Sequence, residues 1–109
     1  MNSAERSVLS PLIKRIREVN PHAWWELKRQ IWDGGYQPHY PMQGEFERPA
    51  RRAIETLSPE RMAILRDQWQ KHHLEGVPAE QAVVDHYVHV LIEEVVKRAN
   101  HAAYRTTNW

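Results

Sequence analysis

The sequence predicts an all-α fold: a compact four- to five-helix bundle with a long C-terminal helix and one long aromatic loop. Three observations predict it. Apolar residues recur at i, i+3, i+4 and i+7 in successive windows, the period of one helical face. Asn20-Pro21 and Ser58-Pro59 read as helix starts, with a capping side chain followed by a proline whose missing N–H costs nothing there. The last stretch carries a single apolar face over about 27 residues, or about 40 Å of helix. The chain has 109 residues, the size of one domain, and no repeat, low-complexity tract or composition shift divides it. Residues 1–109 therefore read as a single helical domain.

In the first segment, Leu9, Leu12, Ile13 and Ile16 make one helical face. Pro11 stands among them, where a proline removes a backbone bond and clashes with the preceding turn. Ser3 can cap a first turn near Ala4. Ser10 as an N-cap would place Pro11 at the first helical position, so the expectation is a main helix from Pro11 to Val19. Asn20 ends it, because the residue before a proline avoids the α region. The second segment runs from Pro21 to Asp33. Trp24, Leu27, Lys28 and Ile31 form one line, with Trp25 and Trp32 beside it, and Gly34-Gly35 stop the helix.

Residues 34–48, GGYQPHYPMQGEFER, follow neither the helical nor the strand period and read as a loop. It carries Tyr36, Tyr40 and Phe46 with His39 between them, and its length is one at which ordered loops are often functional. A short helix is expected from Pro49 to Leu57 on Ala50, Ala53, Ile54 and Leu57, with Pro49 at its first position. Ser58 caps the next, which runs to about His73 with Met62, Leu65 and Trp69 inward and an Asp67–Lys71 pair outward; Glu75-Gly76 breaks it. The last helix opens at Pro78 and runs to about Tyr104. Val84, Tyr87, Val88, Leu91, Val95 and Ala99 form its inner face, widened by Val83, Val90, Ile92, Val96 and Ala103.

Composition excludes several function classes. There is no Cys, which removes disulfides, zinc ribbons, iron–sulfur clusters and thiol nucleophiles together. Met1 to Ser10 is polar with no apolar run after it, so no signal peptide is expected, and nothing approaches the length of a membrane span. A cytoplasmic protein is expected. Fifteen Lys and Arg against fourteen Asp and Glu leave a formal charge of +1, with no global drive toward nucleic acid. Trp, at five residues, and His, at seven, are the two enriched types.

No residue set has the spacing of a catalytic or cofactor motif. Asp85, His86, His89 and Glu93 lie within two turns of one helix, close enough for a metal. The same line continues as Asp85, His89, Glu93, Lys97, with Glu94 and Arg98 alongside, and acid before base at i, i+4 is what a solvated helix face carries. No metal and no cofactor are expected. Glu93-Glu94 lacks the further acid that all-α nucleotide pyrophosphohydrolases place about three residues on to hold Mg²⁺; Lys97 stands there, and no second acidic motif follows. Lys14, Arg15, Arg17, Lys28 and Arg29 could line a basic strip on the first two helices. Arg48, Arg51 and Arg52 surround a helix N-terminus, where free N–H groups and a partial positive charge favour an anion. Local pairs with Glu47 and Glu55 compete for Arg51.

These readings give one leading expectation: a small non-enzymatic binding or adaptor protein acting by protein–protein contact, and a homodimer through the last helix, whose apolar width exceeds what four short neighbours can cover. The alternatives are a small-ligand binder or enzyme using a Trp, Tyr and His pocket, and a nucleic-acid-associated regulator using the Arg clusters. The expected binding surface is Trp25, Trp32, Tyr36, His39, Tyr40, Arg48, Arg51 and Arg52, taking an anionic ligand or an acidic partner segment, more strongly once His39 is protonated.

Overall fold

A computed structural model describes residues 1–35, 41–73 and 80–105. Among them are five α-helices and one 3₁₀ turn, and no strand: α1 (Ser3–Val19), α2 (Pro21–Gly34), the 3₁₀ turn (Pro41–Phe46), α3 (Glu47–Glu55), α4 (Pro59–His73) and α5 (Glu80–Arg105). The all-α bundle with a long last helix is what the sequence predicts. At 26 residues, α5 is the longest helix among the described residues and packs against each of the other four helices. Its inner residues Val84, Tyr87, Val88, Leu91, Val95 and Ala99 are all buried, as are Val83, Val96 and Ala103.

Three boundaries differ from expectation, each for a local reason. The first helix does not start at Pro11. It starts at Ser3, capped by Asn2 in a reciprocal box: the Glu5 N–H donates to Asn2 Oδ1 at 2.9 Å, and the Asn2 N–H donates to Glu5 Oε1 at 3.3 Å. Pro11 is exposed inside this helix, so the backbone carbonyl it leaves without a partner faces the solvent side. The added turns bring Val8 and Leu9 into the core, where they are 2% and 0% exposed. The added turns of α1 join α2, α3 and α4 against α5, while Val90 and Ile92 on α5 stay only partly buried.

The expected loop is also partly helical. Pro41–Phe46 makes a 3₁₀ turn that runs directly into α3, which begins at Glu47 rather than Pro49. Pro49 lies inside the first turn, where its missing N–H still has no intrahelical role. Phe46 is fully buried and joins Ala50 and Ile54 in the core. At the other junctions the expected signals hold. Asn20 accepts from the Ala23 N–H at 3.1 Å, Gly35 ends α2 at φ 72° with its N–H on the Ile31 carbonyl, and Ser58 Oγ accepts from the Arg61 N–H. Pro78, Glu75 and Gly76 lie outside the described residues.

A polar group sits in the core at one end. Glu5 is 7% exposed, and its carboxylate accepts from the Tyr87 hydroxyl at 2.9 Å. Burial, and then the Glu5 hydrogen bond, push the Tyr87 hydroxyl far above its ordinary pKa, so it stays a donor. Asn2 in turn donates to Gln68 Oε1 at 2.7 Å, tying the start of α1 to α4.

Candidate binding groove between α1 and α3

The charged residues divide into those with partners and those without. Arg51 on α3 is paired. Its guanidinium donates to Asp85 of α5 at 2.8 Å and lies 3.7 Å from Glu47. The hydrogen bond from Arg51, then one from Gln81, hold the Asp85 carboxyl below its usual pKa. The expected i, i+4 ladder on α5 is thus only partly formed. His89 meets Glu93 at 2.9 Å, but Asp85 is drawn across to α3, and Lys97 goes to Glu94 at 3.3 Å rather than to Glu93. Glu94 also accepts from Arg98 at 2.9 Å; burial pushes its carboxyl up, and these hydrogen bonds outweigh that and hold it low. On α2, Arg29 is held between Glu26 at 2.8 Å and Asp33 at 3.1 Å. Arg17 and Lys28 both lie over the Trp24 ring, at 5.2 and 5.9 Å. The basic strip expected on α1 and α2 is therefore largely absorbed in local contacts.

Arg15, Arg48 and Arg52 are different. All three are exposed, and among the described residues none has an ion pair or a side-chain hydrogen bond. They converge on a concavity of about 360 Å³ between α1 and α3, floored by Ile16, Val19 and Ala53 and lined by no acidic residue. Ile16 and Ala53 are core residues, while Val19 is 56% exposed. Thr56 stands at the end of α3, where its hydroxyl donates to the Arg52 carbonyl at 2.8 Å. The result is an apolar strip with three unneutralised guanidinium groups around it.

Arg48 and Arg52 also line a second concavity, of about 480 Å³, on the other side of α3. Gly44, Glu47, Arg51, Glu55 and Thr56 complete it, so its charge is mixed. The two arginines form a ridge between a basic, apolar trough and a mixed-charge one.

The ridge is locally unfavourable. Arg48 and Arg52 are i, i+4, and like charges at that spacing destabilise a helix by about 0.2–0.5 kcal/mol. Arg48 also falls in the first turn of α3, next to the positive end of the helix dipole. Neither cost is offset by an ion pair from a described residue.

Of the residues expected at a binding surface, the structure brings Arg48, Arg51 and Arg52 together, and puts Arg51 into a structural pair. Trp25 and Trp32 are on α2, 38% and 53% exposed, and line neither concavity. Tyr36, His39 and Tyr40 lie outside the described residues. Sequence reasoning placed Arg15 in a strip with α2 and missed its convergence with α3. The available signal was the spacing Arg15, Ile16, Val19 on α1 against Arg48, Arg52 on α3, which only the packing of the two helices joins. None of the described helices is long and apolar enough to cross a membrane. No family model, no curated protein and no solved structure matches this chain.

Proposed function

We propose that this is a small non-enzymatic binding protein that acts by protein–protein contact, holding an acidic, partly apolar segment of its partner in the trough between α1 and α3. The observation that supports it is the convergence of Arg15, Arg48 and Arg52 around an apolar floor with no carboxylate among the described lining residues. Arginine suits this role: its planar fork bonds carboxylates bidentately, and it is weakly hydrated and readily buried at an interface. The floor of Ile16, Val19 and Ala53 supplies the apolar contact that gives such a surface affinity beyond charge.

The test is binding of a fluorescein-labelled peptide in which a leucine pair is flanked by glutamates, followed by anisotropy. Wild type should bind it, and Arg48→Glu with Arg52→Glu should abolish binding while the thermal midpoint holds. A peptide with the glutamates replaced by glutamine should not bind. Equal binding by the charge-reversed protein would end the proposal, and so would equal competition by a single-stranded oligonucleotide, which would favour nucleic acid as the anionic partner. Self-association belongs to the same proposal, with a second copy of the chain as one partner. A mass of 13.0 kDa by light scattering across micromolar concentrations excludes the homodimer.

A further inference from the structure

The trough is one half of a larger surface. The Arg48–Arg52 ridge is shared by both concavities, so a segment lying in the trough and crossing the ridge enters the second concavity. The charges there differ. Arg51 is occupied by Asp85 and Glu47. Glu55 is exposed and has no ion-pair partner among the described residues. A ligand crossing the ridge therefore moves from three unpaired cations over an apolar floor to an exposed carboxylate that feels Arg51 without forming an ion pair with it.

Resting on the proposed function, we infer that the partner segment is bipolar: an acidic, apolar portion lies in the trough against Arg15, Arg48 and Arg52, and a basic side chain beyond the ridge pairs with Glu55. A uniformly acidic segment meets Glu55 and Glu47 with like charge on the far side, which costs binding. A segment ending at the ridge leaves Glu55 unused. The bipolar segment satisfies both halves, and its charge order fixes the direction in which it crosses α3. Specificity then comes from rejection at Glu55 as much as from attraction at the arginines.

Three labelled peptides test this with the full chain. One carries glutamates and a leucine pair only. The other two add a lysine pair, at the N-terminal or the C-terminal end. On wild type, one of the lysine-bearing peptides should bind more tightly than the lysine-free one by about two- to fivefold at low salt, the range of an exposed ion pair. A gain with either peptide supports the inference, because the charge order of the segment sets its own direction across α3. Glu55→Gln should remove the gain and bind the lysine-free peptide at least as tightly as wild type does, since the like charge it met is gone. Its effect on folding is checked by the thermal midpoint, which should hold because the side chain is exposed. If the lysine-free peptide binds but no lysine pair adds affinity, or if the gain survives Glu55→Gln, the inference is wrong and the proposed function stands. If no peptide binds wild type, the proposed function fails and this inference with it.

Discussion

The Glu5 end of the bundle and the groove between α1 and α3 handle charge in opposite ways. Glu5 is a buried carboxylate, and its surroundings answer it: the Tyr87 hydroxyl and the Asn2 N–H both donate to it. Arg15, Arg48 and Arg52 are exposed cations gathered on one concavity with nothing to answer them among the described residues. The first arrangement is what folding requires, because an unpaired polar group in the core costs about 1–3 kcal/mol. The second is not required by folding, and the i, i+4 repulsion and the place of Arg48 in the first turn of α3 oppose helix formation. Charge that the fold satisfies stabilises the chain; charge that the fold leaves gathered and unsatisfied points outward, to a ligand.

That contrast makes graded predictions for stability. The largest effect sets the scale. Phe46→Ala, in the core next to α3, should cost about 3–5 kcal/mol in chemical denaturation, as truncation of a buried Phe does. A loss below about 1 kcal/mol would mean that the 3₁₀ turn does not anchor α3. Tyr87→Phe should cost about 1–3 kcal/mol, because it removes the donor to a buried carboxylate and keeps the ring. A neutral Tyr87→Phe would erase the distinction drawn between the two regions.

Asp85→Asn should lower the thermal midpoint slightly at neutral pH, by weakening the Arg51 pair. The Asp85 pKa is lowered in the folded chain, so its contribution is present above the ordinary aspartate pKa and is lost as pH falls through the folded value. The difference between Asp85→Asn and wild type should therefore begin to shrink below about pH 4 and vanish once the pH lies below the lowered folded-state value. A difference that persists there has another origin.

The smallest effect is the most diagnostic. Arg48→Gln should leave stability unchanged or raise it by a few tenths of a kcal/mol, since it relieves the i, i+4 repulsion and the dipole clash. Differential scanning fluorimetry at low salt, repeated at high salt, reads it. A clear loss of stability would show that Arg48 has a structural partner and belongs with Arg51.

Much of the fold is legible in the sequence because its signals are local. Asn20-Pro21, Gly34-Gly35 and Ser58-Pro59 each fix a helix end through side-chain or backbone chemistry a few residues long, and the apolar face of α5 is continuous. Pro11 and the start of α3 are misread for the same reason. A proline rule applied locally breaks α1, whereas Val8 and Leu9 gain enough by packing to carry the helix through. The 3₁₀ turn is invisible to periodicity because six residues show no repeat, and Phe46 holds it by burial. At the groove, the sequence supplies Arg48, Arg51 and Arg52 but not their division. Arg51 is separated from its neighbours by Asp85, 34 residues away in the chain, and Arg15 joins them only because α1 and α3 pack together.

Pro11 also divides α1 in time. With no N–H to reach the Ser7 carbonyl, the ladder of amide bonds is interrupted there, and residues ahead of it can unwind without disturbing those behind. What retains that front half is tertiary: Val8 and Leu9 in the core, and Glu5 bonded to Tyr87. Amide hydrogen exchange should show two protection levels along one helix, with residues ahead of Pro11 opening as a unit of their own. In Tyr87→Phe the front level should fall further than the rear, so that a side chain on the last helix governs how long the first one stays closed at its beginning.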